Sequence, residues 1–288
     1  MLGAIEAGGT KFVCAVSDDG NEILKQITIL TTSPEKTFEQ VFNFFDQYPL
    51  TSIGVGSFGP IDMNKQSKTY GYITNTPKEG WKNVNFIGKL KERYNVSIAW
   101  TTDVNAAAYG EYRKGVAEHV SSCLYVTVGT GIGGGAIING MLLEGLGHPE
   151  MGHIPIRKHC NDYFKGICPI HHDCLEGLTS GPAIKKRYGI KASKLPKDHQ
   201  VWNLVAYYLA QALFSYTLIL RPDKIILGGG VMKQTHLFPL IRDKFRKSLN
   251  NYLSTAKLTD YIVSPKLKDK QALIGCFLLA KELIKTNK

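Results

Sequence analysis

Within 288 residues one pattern occurs twice: an apolar strand, a turn built on glycine and threonine, a second strand, a second turn and a third strand. The first copy covers residues 2–30 and turns at Ala7-Gly8-Gly9-Thr10. The second covers residues 123–145 and turns at Gly129-Thr130-Gly131-Ile132-Gly133-Gly134-Gly135. Self-similarity of this kind points to a duplicated supersecondary unit, and each copy needs its own packed sheet. The expected architecture is therefore α/β and two-lobed, with lobes at 1–118 and 119–288 and a cleft between them.

The remaining periodicities fill in those lobes. Strands are predicted at 2–6, 11–16, 22–30, 52–56, 97–101, 123–128, 136–139 and 224–227, with another starting in 140–143. Helices are predicted at 35–47, 82–94, 104–114, 201–220, 235–250 and 271–286. Phe38, Val41, Phe42 and Phe45 repeat at helical spacing behind the start signal Ser33-Pro34. Val201, Leu204, Val205, Leu209 and Leu213 form a second apolar stripe, which stops before Arg221-Pro222 because proline cannot continue a helix.

A phosphate is held by several backbone N–H groups aimed at one place, and glycine permits the close approach. Ala7-Gly8-Gly9-Thr10-Lys11 and Gly129-Thr130-Gly131-Ile132-Gly133 both suit this, and each threonine hydroxyl adds a donor. Neither is a Walker loop, since no Gly-x-x-x-x-Gly-Lys-Ser/Thr string occurs. A single such turn reads more readily as an ordinary hairpin; two at matching places favour phosphate. Gly228-Gly229-Gly230-Val231 follows a buried strand, and is either a tight strand-to-helix turn or the floor for a base or ribose. Asp103 follows the strand at 97–101 and opens the next helix. It is either a helix cap or the base that a phosphoryl transfer to a hydroxyl requires.

His153, Cys168, His171 and Cys174 form His-x14-Cys-x2-His-x2-Cys. Four nitrogen and sulfur ligands suit a tetrahedral, structural Zn²⁺. The plainer reading is two buried cysteines beside surface histidines. His172, His159 and Cys160 are spare ligand candidates, with His171 preferred because it leaves two residues on each side.

Composition narrows the function classes. With 43% hydrophobic and 20% charged residues, the chain has the balance of a soluble globular protein. No run of about 18 apolar residues suggests a membrane span, and Met1-Leu2-Gly3-Ala4-Ile5-Glu6 lacks the form of a secretory signal. Cys14, Cys123 and Cys276 stand singly in apolar runs, which is cytoplasmic usage and not a disulfide framework. The net charge of +11 is spread out, notably over 185–197 and 256–270, without interleaved aromatics. That favours a solvated basic surface, attractive to ATP, over a nucleic-acid groove.

Taken together, Glu6-Ala-Gly-Gly-Thr-Lys11, Thr102-Asp103-Val-Asn105, Gly129-Thr130-Gly131-Ile-Gly133-Gly134, Glu150-Met-Gly152-His153 and Cys174-Leu-Glu176 resemble the ROK family of repressors and kinases from residue 2 to the C-terminal helix. The resemblance implies the actin-like, hexokinase-like ATPase fold of duplicated ribonuclease H-like domains, a zinc-binding insertion at about 148–180, a C-terminal helix returning to the first lobe, and a homodimer. It implies ATP with Mg²⁺ as phosphoryl donor and Asp103 as catalytic base. Asn75, Thr76, Asn105, Glu150, His153 and Glu176 become sugar contacts, and Trp81 with Asn75-Thr76-Pro77 the loop over the sugar. Pro182 joins Gly8, Gly9, Thr10, Lys11, Thr130, Gly131, Gly133, Gly228, Gly229, Gly230 and Val231 on the nucleotide side.

Ser57-Phe58-Gly59-Pro60-Ile61-Asp62 and His148-Pro149-Glu150-Met151-Gly152-His153 are similar to bacterial fructokinases more than to glucokinases, so free fructose is the expected substrate. A glucose, mannose or N-acylhexosamine kinase is the alternative within the family. An actin-like assembly ATPase shares the phosphate turns but leaves Glu150-x-x-His153 and the metal ligands without a purpose. Repressor members carry an N-terminal helix-turn-helix domain, and a first strand at residue 2 leaves no place for one. Two departures stand out. Glu6 replaces the aspartate of many members; it reaches further toward a Mg²⁺-bound water. Cys168-Pro-Ile-His171-His172-Asp-Cys174 replaces the usual Cys-x-Cys-Gly-x-x-Gly-Cys, which moves one ligand to histidine.

Overall fold

The computed structural model describes residues 1–286. In chain order the elements are β1 (Leu2–Ala7), β2 (Lys11–Ser17), β3 (Lys25–Leu30), α1 (Pro34–Phe45), β4 (Ser52–Ser57), β5 (Tyr72–Ile73), β6 (Val84–Asn85), α2 (Phe86–Arg93), β7 (Ser97–Thr102) and α3 (Asp103–Lys114). There follow β8 (Cys123–Val128), β9 (Ile132–Ile138), β10 (Met141–Leu142), α4 (Leu175–Thr179), α5 (Gly181–Tyr188), α6 (Val201–Leu220), β11 (Lys224–Gly228), α7 (Leu237–Leu249), α8 (Leu258–Tyr261), β12 (Ile262–Val263) and α9 (Gln271–Thr286). The chain forms two compact units. Of the described residues, the first comprises Met1–Gly115, Leu142–Pro149 and those from Leu267 onward; the second comprises Val116–Met141 and Glu150–Lys266.

The first unit is built on a five-stranded sheet in the order β3-β2-β1-β4-β7. β1, β2 and β3 are antiparallel, and β1, β4 and β7 run parallel. An aromatic cluster of Phe12, Phe38, Trp81 and Phe86 fills one face, and all four side chains are buried. Trp81 Nε1–H donates to the Thr32 carbonyl at 2.8 Å. Trp81 is thus a core residue with its polar handle satisfied, which corrects its assignment to a sugar-covering loop. α9 lies against β1, β4 and α3. The approach is close enough that a Cβ on Gly275 would stand 1.8 Å from the Ala106 carbonyl oxygen. A glycine there sets how near the helix carrying Asp103 sits to its support.

The second unit repeats the plan, with its sheet in the order β10-β9-β8-β11-β12. β8 and β9 form the antiparallel hairpin, and β11 and β12 run parallel to β8 and β11 respectively. α6 is, among the described residues, the one helix long and apolar enough to cross a bilayer; half of that span is buried in the unit, with Trp202, Tyr208, Leu209 and Leu213 all inside.

Some element boundaries differ from expectation for local reasons. The predicted helix at 82–94 begins only at Phe86, because Val84–Asn85 pairs with Tyr72–Ile73 and the Asn85 side chain caps by accepting from Gly88 N–H. The second glycine turn is shorter than its string of glycines. Gly133, Gly134 and Gly135 lie within β9, opposite Thr127, Val126 and Tyr125. β3 starts at Lys25, and α7 starts at Leu237 after a short 3-10 turn over Val231–Lys233.

Candidate active site and metal centre

In the first unit the Gly8-Gly9-Thr10 turn joins β1 to β2. Gly8 N–H donates to the Lys11 carbonyl at 2.9 Å, and Thr31 holds the turn from behind, its hydroxyl donating to the Gly8 carbonyl at 2.7 Å. Thr10 and Lys11 are exposed. Two residues before the turn, burial pushes the Glu6 carboxyl up to about 7; the Asp103 and Asp269 carboxylates nearby add to this and Lys11 opposes it.

Asp103 is the first residue of α3, at the carboxyl end of β7. The cap is Thr102, whose hydroxyl accepts from Asn105 N–H at 3.1 Å, so Asp103 is not the N-cap that one reading of the sequence allowed. Asp103 is half-buried, and its Oδ1 accepts from Val104 N–H at 2.9 Å. Asn105 is fully buried, and its Nδ2 donates to Thr101 at 3.1 Å. It braces the strand end below Asp103, while its buried Oδ1 has no hydrogen-bond partner among the described residues. Asn75 is exposed; Thr76 is buried and accepts from Lys78 N–H at 3.3 Å.

Glu6 predicts a pH effect on stability. A carboxyl raised in the folded state binds more protons than its unfolded counterpart between about pH 4.5 and 7. Stability is therefore lost as pH rises through that window. Ligand-free Glu6→Gln should match the wild-type melting temperature near pH 4.5 and exceed it at pH 8, by on the order of 5 °C. Parallel melting curves across that range would contradict the assignment.

In the second unit three sequence-distant segments meet. Gly181 N–H donates to the Gly129 carbonyl at 2.8 Å, which places the start of α5 on the second glycine turn. Ser180 caps α5 by accepting from Ala183 N–H, and Pro182 occupies its first turn. A Cβ on Gly129 would reach within 3.7 Å of Gly230 N, so the third glycine loop also adjoins the turn. Gly229 has φ +89°, and a Cβ there would come within 2.5 Å of the Val128 carbonyl oxygen; only glycine fits. The start of a helix beside a glycine turn favours an anion. Thus Gly129, Thr130, Gly131, Gly181, Pro182 and Gly228–Val231 are brought together, while Gly133 sits in β9. Ser180-Gly181-Pro182 was a readable cap signal, since proline favours the first helical turn.

Glu176 closes the same turn. Its Oε2 accepts from Ile132 N–H at 2.8 Å, and a Cβ on Gly131 would fall 2.7 Å from that oxygen. Nothing in the spacing of the sequence signalled this contact. Glu150 and His153 flank a single turn closed by His153 N–H donating to the Glu150 carbonyl at 3.1 Å, which turns residues three apart to one side. The turn lies flat on β9, where a Cβ on Gly152 would meet the Ile132 carbonyl oxygen at 1.8 Å. Tyr216 OH donates to the Met151 carbonyl from α6.

His153, Cys168, His171 and Cys174 converge, with ligand atoms all within 4.8 Å of one another. His153 Nδ1 lies 3.6 Å from both Cys168 Sγ and Cys174 Sγ, and His171 Nδ1 lies 3.9 Å from Cys168 Sγ. Zinc–sulfur and zinc–nitrogen bonds at the tetrahedral angle put S and N about 3.6 Å apart. His172 is exposed at φ +51°, and His159 Nδ1 accepts from Asn161 N–H, so neither belongs to the cluster. Burial pushes the Cys174 thiol up to about 11, so a metal must displace its proton. The loop between His153 and Cys168 is fastened by the buried Asp162–Arg187 ion pair, with Tyr208 OH donating to Asp162 at 2.5 Å.

Two sheets of one plan, each opening on a Gly-Thr hairpin, define the two-domain sugar-kinase fold. The ROK hexokinase from Thermus thermophilus has this fold, with a TM-score of 0.80, 25% identity and 99% of each chain covered. The sequence profile of the ROK family matches residues 2–283, and the chain belongs to that family. A putative fructokinase from Bacillus subtilis strain 168 is 51% identical, covering 100% of this chain and 97% of its own. The fructokinase from Lactococcus lactis subsp. cremoris is 48% identical, covering 98% and 97% respectively.

Proposed function

We propose that the chain transfers the γ-phosphoryl group of ATP to free D-fructose, giving fructose 6-phosphate. The observation that carries the sugar is identity of 48% and 51% along nearly the whole length of proteins named fructokinase or putative fructokinase. The chemistry rests on the arrangement of the residues. Asp103, at the carboxyl end of β7, takes the proton from the attacking 6-hydroxyl. Thr10 and Lys11 on one turn, and Thr130 with the start of α5 on the other, hold phosphate oxygens. The loop from Gly228 to Val231 carries the nucleoside. Mg²⁺ bound with ATP would neutralise charge developing on the phosphates, and Glu6 would hold a water of that ion.

Asn75, Thr76, Asn105, Glu150, His153 and Glu176 orient the sugar. Zn²⁺ fits the four converging ligands, whose donor set and spacing are those of a structural tetrahedral site. With Nδ1 of His153 on the metal side, its Nε2 is left as the donor toward sugar. The enzyme acts as a homodimer in the cytoplasm.

An ADP-release assay over fructose, glucose, mannose and N-acetylhexosamines tests this reading. Fructose should give the highest kcat/KM by at least about tenfold. A preference for another hexose moves the substrate within the family, and sugar-independent ATP hydrolysis with filament formation would replace the kinase reading.

A further inference from the structure

The loop that follows β4 is a junction in the first unit. Phe58 N–H donates to the Ala7 carbonyl at 2.8 Å, which ties the loop to the first phosphate turn. The Pro60 carbonyl accepts both from Thr74 N–H at 2.8 Å and from the Thr74 hydroxyl at 3.1 Å, immediately before Asn75 and Thr76. Ile61 N–H donates to His148 Nε2 at 3.1 Å. His148 lies in the 142–149 segment, which crosses back to this unit and includes the exposed residues Glu144, Gly145 and Leu146. In sequence it stands two residues before Glu150. A hydrogen bond from Ile61 to His148 therefore ties together the two strings, 57–62 and 148–153, whose sequence is similar to fructokinases more than to glucokinases.

We infer that His148 is a positioning residue for the sugar: its Nε2 fixes the backbone at Ile61, and through Pro60 and Thr74 the start of the Asn75-Thr76 loop. The inference rests on the hexokinase reading of the same site. A backbone N–H held by a side-chain acceptor keeps one geometry. Without the acceptor, the loop must find water or move, and orientation of the bound hydroxyl suffers before phosphate binding does. Only the acceptor is needed, so an amide oxygen at similar reach should serve in place of the imidazole nitrogen.

The test compares His148→Leu with His148→Gln in steady-state kinetics. In the leucine variant the fructose KM should rise about tenfold, equivalent to roughly 1.4 kcal/mol. Its ATP KM should stay within about twofold of wild type. The glutamine variant should recover most of the loss. A leucine variant with unchanged fructose KM overturns the inference, as does an ATP KM that rises equally, or equal impairment of both variants. Should wild type prefer another hexose, the fructose reading fails separately. The same comparison is then made on that hexose, and an unchanged KM there overturns the inference.

Discussion

Asp103→Asn is expected to lose at least 10²–10⁴ in turnover, the worth of a positioned general base, while binding fructose with nearly unchanged affinity. The structure supplies the reason for separating the two effects. Thr102 caps α3 and Asn105 braces Thr101, and an asparagine keeps the Oδ1 that accepts from Val104 N–H, so the helix start survives the substitution. The amide keeps the shape of the side chain and removes only its capacity to take a proton. Single-turnover rates and a direct sugar-binding isotherm check both halves. Turnover within tenfold of wild type would remove Asp103 from the mechanism. Loss of binding and turnover together would make it a structural residue.

The second large effect concerns the metal. Protein prepared without chelator should contain one zinc per chain, held by His153, Cys168, His171 and Cys174. Removing it, or making Cys174→Ser, should lower the melting temperature by on the order of 10 °C, since binding energy at such sites is folding energy. Fructose affinity should fall by on the order of tenfold, because on the proposed reading the cluster holds two of the sugar contacts. His153 is one of the four converging donors, and Cys174 caps the helix that carries Glu176. The ion would do no chemistry. It would hold an imidazole tautomer and a carboxylate in place. Zinc-free preparations with full stability and unchanged sugar affinity would contradict this. A drop in stability alone would confine the metal to the fold.

The sequence made the duplicated plan visible because its signal is local: apolar strands and glycine turns recur at short range, and both sheets carry them in the same order. Asp103 was legible as the residue at a strand end, and the cluster of His153, Cys168, His171 and Cys174 as nitrogen and sulfur donors in a short span. What the sequence hid was non-local. Glu176 closes the turn at Ile132 from 44 positions away, and His148 reaches Ile61 across 87. No periodicity encodes such contacts. Trp81 misled for the opposite reason. Its neighbours in sequence place it in a loop, but Phe12 and Phe38 from distant elements enclose its ring. Gly133–Gly135 misled because glycine has two uses. In β9 their region provides room for the turn that carries Glu150 and His153, as shown by Gly134, whose Cβ would meet Met151 at 2.6 Å.

The central claim is phosphoryl transfer from ATP to a hexose hydroxyl, and phosphorus NMR of the reaction mixture tests it most directly. With ATP, Mg²⁺ and fructose, the signals of ADP and of fructose 6-phosphate should grow together in equal amounts. Release of inorganic phosphate alone, or phosphate attached at another hydroxyl of the sugar, would contradict the account.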